Sequence, residues 1–158
     1  MLRGTLLTIH LLAVVVWLGA GLYDLFLVRE LKRQRGTPSE VTLARVYVRY
    51  GPVIVAAVVV VAVTGALQAS LLGWGYFAQL WLGLKQALML VVLAALAAVA
   101  PTFARLGRVV GSLPESATEL SEEARSLFSR TEPYILVMRV AGFAALVLAV
   151  FRPNSLHW

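Results

Sequence analysis

The chain has 158 residues, of which 60% are hydrophobic and only 14% charged, with a mean hydropathy of +0.84; this balance excludes an ordinary soluble domain and points to an integral membrane protein. Cysteine is absent, so disulfides, thiolate metal ligands and thiol nucleophiles are excluded and site chemistry rests on nitrogen, oxygen or a cofactor. The net charge of +6 does not argue for nucleic acid, because the basic residues sit mainly in short loops beside apolar stretches, where they orient helices.

A bilayer core about 30 Å thick needs about twenty helical residues, and four stretches qualify, at about 5–28, 51–72, 77–100 and 132–151. The first carries polar residues in an apolar run. His10, Trp17, Gly21 and Asp24, spaced by seven, four and three, fall on one helical stripe. That stripe is predicted to face protein, since an ionisable residue inside a span is costly and points to function. The span is too long for a signal-peptide core, lacks a small-residue cleavage site and runs into a basic cluster, so it is predicted to be retained. Pro52 stands where the second helix is predicted to start, Pro101 where the third ends and Glu132-Pro133 where the fourth begins, which closes before Arg152-Pro153.

The first connection holds Arg29, Lys32, Arg33, Arg35, Arg45 and Arg49, the third Arg105, Arg108, Arg125 and Arg130, and the second no charge. The positive-inside rule then makes the first and third loops cytoplasmic and leaves both termini outside a cell (inner) membrane. Trp74, Tyr76, Trp81 and Trp158 are predicted at the outer interface. The third loop reads as a short amphipathic cytoplasmic helix with a Ser116–Glu119 capping box. The expected fold is all-α, an integral membrane four-helix bundle forming one transmembrane domain.

Depth along the spans groups the polar residues. His10, Gln68, Lys85 and Gln86 share a level near the outer end, with Thr64 and Met89 close by. Neutral imidazole is a common iron or copper ligand, lysine pairs with anionic groups such as propionates, and a bundle interior is a usual cofactor site. Each has a plainer reading, in which His10 bonds a neighbouring helix and Lys85 snorkels to the headgroups. Near the opposite end, Asp24 and Arg139 are placed to form a buried structural ion pair, with Glu132 joining it or capping the fourth helix. Gly19, Gly21 and Gly65, with Ala94, Ala95, Ala97 and Ala98, read as helix-packing positions, and Met138 as core filler.

His10 followed by Trp17-Leu18-Gly19, Thr64-Gly65, Lys85, and Thr131-Glu132-Pro133 resemble the HemJ-type protoporphyrinogen oxidase family and the related copper-resistance CopD type of small membrane proteins. The resemblance implies a four-helix membrane bundle that binds haem b and oxidises protoporphyrinogen IX. It maps the first-helix histidine to His10, the third-helix lysine to Lys85 and the last-helix Glu-Pro to Glu132-Pro133. On this reading His10 is the metal ligand and a catalytic residue with Lys85, and Trp17, Gln68, Gln86 and Met89 help hold the porphyrin. After Gly21 the chain reads Leu22-Tyr23-Asp24-Leu25, without the proline and second histidine usual in that family. Only His10 and His157 are histidines, so haem ligation is expected to combine His10 with a weaker ligand, an open position or another subunit.

Three functions follow as expectations. The first is a haem-associated membrane redox protein. The second is a non-catalytic small subunit or scaffold, in a homodimer or a larger membrane complex, whose polar residues only lock the helices. The third is a CopD-like copper handler, which the scarcity of histidine and methionine disfavours.

Overall fold

A computed structural model describes residues 2–71 and 79–151 of the chain. They form four helices, α1 Leu2–Arg33, α2 Pro38–Leu71, α3 Leu80–Gly111 and α4 Glu122–Phe151, and no strand occurs among the described residues. All four are long and apolar enough to cross a membrane. The protein is an all-α, membrane-embedded bundle. Trp74, Tyr76, Trp158 and His157, with the end of the second span and the start of the third, lie outside the described residues.

The helices outrun the apolar spans. At 1.5 Å per residue a helix of this length is about 50 Å long, against a hydrocarbon core of about 30 Å. The surplus lies at the basic end, where the connections 34–37 and 112–121 are found. Pro52, Pro101 and Pro133 therefore do not mark helix ends; each lies inside its helix. An interior proline costs about 3 kcal/mol, and what offsets it here is burial on the basic side of each one. Val41, Ala44 and Tyr47 precede Pro52, Leu106 and Val110 follow Pro101, and Ala124, Leu127 and Phe128 precede Pro133, all in one basic-end core.

The amphipathic stretch of the third connection is helical, but it is the first part of α4 rather than a separate element. Its cap is Ser121, whose Oγ accepts from the Ala124 N–H at 3.2 Å, and not Ser116, which lies in the irregular segment before it. Between α1 and α2 the chain reverses through Gly36, at φ 78°, where a glycine is favoured.

α1 packs along α2 and α3 along α4 most extensively, α2 meets α3 less, and α1 meets α4 least. A second core, centred on Trp17, Val58, Val61, Val92 and Met138, fills the membrane half. Leucines, valines and Phe26 on the outer faces are exposed, as a lipid-facing surface requires. Gly19 meets no neighbour, whereas Gly21 packs against the Arg139 stem of α4 and Gly65 against the His10 ring of α1, both at ordinary contact distance. Ala95 is buried, whereas Ala94, Ala97 and Ala98 are exposed. The tightest approaches are at Gly51, where an added Cβ would stand 2.3 Å from the Phe103 ring, and at Gly142, which lies 3.1 Å by the same measure from the Trp17 indole.

Candidate functional site

The end of the bundle away from the basic loops, hereafter the distal end, holds a cavity of about 510 Å³ walled by all four helices. That is within the range of about 300–1,000 Å³ usual for ligand pockets. His10, Gln68, Lys85 and Met89 stand on its wall, Trp17 is part of it, and Trp81 contributes from the start of α3. Gln86 is not on this wall, because its position on α3 turns it aside from Lys85 and Met89, which share a face four residues apart.

The His10 ring is fixed from α2. Its Nδ1 lies 2.8 Å from Thr64 Oγ1, and the Thr64 hydroxyl donates to the Val60 carbonyl at 2.5 Å. A hydroxyl has one proton. When Thr64 gives it to the Val60 carbonyl, Nδ1 of His10 is the donor in their contact, and in that neutral tautomer Nε2 keeps its lone pair. Gly65, one residue on, leaves the ring edge in ordinary contact with the α2 backbone side, 3.5 Å from where a Cβ would stand. Thr64-Gly65 therefore acts as a seat for the imidazole.

Two nitrogen groups complete the polar wall. Gln68 is 6% exposed, and its Nε2 has no hydrogen-bond partner among the described residues. The Lys85 ammonium lies 5.7 Å from the centre of the Trp81 ring, a cation–π arrangement. Trp81 is itself tied down, its Nε1–H donating to Gln79 Oε1 at 2.6 Å. Sequence reasoning left Trp81 as an interface aromatic; its spacing of four from Lys85 was the available signal.

Toward the basic end, the Arg139 guanidinium donates to Asp24 Oδ2, so the structure brings these two residues together across α1 and α4. Glu132 joins neither this pair nor a helix cap; it pairs with Lys32 at 2.7 Å. Asp24 Oδ1 and Arg139 Nε are buried without a partner among the described residues and stand beside a second, smaller cavity of about 70 Å³. Trp17 lines both cavities and separates them.

Sequence reasoning missed the Glu40–Arg125 pair. Glu40 is 1% exposed. Arg125 Nε donates to its Oε1 at 3.0 Å and Nη2 to its Oε2 at 2.9 Å, the Gly36 N–H adds a third bond at 2.9 Å, and Arg125 also holds Glu122 at 2.6 Å. Burial pushes the Glu40 carboxyl up, but the Arg125 fork and the Gly36 N–H outweigh it and hold the group below the usual carboxylate range. The hydrogen bonds that Arg125 donates to Glu40 and then to Glu122 raise its own pKa in turn. This cluster joins α2 to α4 at the basic end; it is a clamp.

Among the described residues no three histidine, aspartate or glutamate side chains converge as a metal site. No curated protein and no solved structure matches the chain significantly. A family model does match, over residues 4–153; the chain belongs to the DUF2269 family of predicted integral membrane proteins.

Proposed function

We propose that the distal cavity is a cofactor site and that the protein is a haem-associated membrane redox protein similar to the HemJ type. The observation that carries this reading is the seating of His10. In the tautomer whose Nδ1–H donates to Thr64, this side chain on the cavity wall would offer its Nε2 lone pair to a haem iron, oriented by a second hydrogen bond as metal-bound histidines usually are. Haem iron needs only one such protein nitrogen, so the absence of a three-residue donor set among the described residues does not conflict with it. Lys85 supplies a cation for a propionate, and Met89, on the same wall, is available as a weak second ligand. Haem b, when bound, supplies reversible one-electron chemistry; the chain's own part is to hold the ring, orient His10 and exclude water with Trp17 and its apolar neighbours. The basic end, with its short loops, is then the cytoplasmic one.

The test is a visible spectrum of the detergent-purified protein from haem-sufficient cells, oxidised and then reduced with dithionite. A Soret band that shifts on reduction and is lost in His10→Ala supports the reading and calls for a protoporphyrinogen oxidation assay with Lys85→Gln. A featureless wild-type spectrum overturns it and favours the small-subunit reading, to be followed by co-purification.

A further inference from the structure

We infer that the distal cavity is loaded sideways from the bilayer, between α1 and α4, by a lipid-dissolved amphipath with an acidic head. The inference rests on the cavity as a ligand site, not on haem as the ligand. The contacts described between α1 and α4 all lie from Trp17 toward the basic end: Trp17 on Gly142, the Arg139 stem on Gly21, Asp24 with Arg139 and Lys32 with Glu132. Beyond Trp17 the facing residues of the two helices wall the cavity instead.

The rim on that side is both cavity wall and lipid-facing surface. Leu7 and Leu11 of α1 are 48% and 52% exposed, and Leu146 and Val150 of α4 are 39% and 68% exposed, and all four line the cavity. Between them α4 presents Gly142, Ala145 and Ala149 to the cavity, so little bulk obstructs the gap. An apolar mouth of this kind favours a solute already in the hydrocarbon over one in water. By helical rise the distance from Trp17 to Leu7, or from Gly142 to Val150, the outermost rim residues, is about 12–15 Å, the depth of one leaflet.

Gln68 and Lys85 stand on α2 and α3, the two helices that do not border this mouth. The Gln68 Nε2 amide and the Lys85 ammonium are hydrogen-bond donors, and the former is buried without a partner among the described residues. Donors of this kind call for an acceptor, and a carboxylate, which accepts at both oxygens, is the group that suits them best. The occupant thus enters with its apolar body along α4 and its acidic head toward Lys85 and Gln68.

The test uses the full chain without haem, with Trp74→Phe, Trp81→Phe and Trp158→Phe so that Trp17 is the sole emitter, in bilayers of lipids brominated on the acyl chains. Trp17, at the cavity floor, is expected to lose emission in brominated bilayers, to regain it when dodecanoate is added, and to regain it in Ala149→Phe, which fills the mouth; Ala149→Leu is the milder variant if phenylalanine lowers the melting temperature. In the same bilayers Lys85→Gln is expected to need more dodecanoate for the same recovery. Quenching by aqueous iodide but not by brominated chains would place the mouth in water and overturn the inference, as would quenching indifferent to both Ala149 variants and to dodecanoate. Haem takes no part, so failure here leaves the Soret test standing, and the reverse.

Discussion

Replacing Glu40 by glutamine should loosen the basic end of the bundle by about 3 kcal/mol at neutral pH, by the usual cost of breaking a buried pair from one side, about 3–5 kcal/mol. The lower end applies because Arg125 keeps Glu122 as a partner and its side chain is 17% exposed. The carboxylate accepts three hydrogen bonds, two from Arg125 and one from the Gly36 N–H; glutamine accepts through one oxygen and turns its own amide protons toward donors. The pH dependence has a definite sign. A carboxyl held low in the folded state contributes stability that is fully present above its unfolded pKa, about 4.3 for glutamate, and lost as pH falls through the folded value. Thermal unfolding in detergent, followed by tryptophan emission between pH 7 and pH 3, should show wild type converging on Glu40→Gln at the acid end. Equal melting temperatures at pH 7 would refute the clamp. In a second arm, Glu40→Leu with Arg125→Met should recover most of the loss, since an apolar pair of similar volume is often neutral in such places.

Thr64→Val keeps the shape beside His10 but removes the acceptor for its Nδ1–H; if haem binds, its affinity should fall about 10–100-fold, as for other residues that orient a metal ligand, read by Soret titration, and no change would detach the tautomer argument from the site. Gly51→Ala places a Cβ 2.3 Å from the Phe103 ring, an overpacking that should cost about 1–3 kcal/mol, with Phe103→Leu in the same chain relieving it; a neutral single variant would show that the ring moves freely. Asp24→Asn leaves the Arg139 guanidinium buried without its charge partner and should lower stability by about 3–5 kcal/mol in the same thermal assay, while Asp24→Leu with Arg139→Met should cost little.

The four spans were legible because a twenty-residue apolar run has few other readings. The prolines misled, since hydropathy falls just beyond Pro101 and just before Pro52 and Pro133 and the apolar runs stop there. What continues the helices is a stripe, not a run: Val41, Ala44 and Tyr47, or Ala124, Leu127 and Phe128, recur at three- and four-residue intervals. Depth along the spans was enough to group His10, Gln68 and Lys85, because antiparallel helices of similar length keep level residues level. It was not enough to exclude Gln86, whose facing depends on how α3 is rotated about its axis. Glu40 with Arg125 was hidden for another reason. Both lie in charged connections where a solvated face is the ordinary outcome, and 85 residues separate them.

The division of packing into α1 with α2 and α3 with α4 bears on how the protein is made. Each pair is a hairpin of sequence neighbours that can insert and close before the other exists. The seam between the hairpins is where Asp24 meets Arg139 and Trp17 meets Gly142. Until the halves dock, an unpaired Asp24 or Arg139 faces lipid at an insertion cost that approaches, and toward the basic end falls below, the figure of about 2.5–3.5 kcal/mol for a charge at a helix centre. Docking removes both penalties in one step, so the late event of biogenesis is also the one that the two charges drive, and a half-assembled chain has a built-in reason to finish.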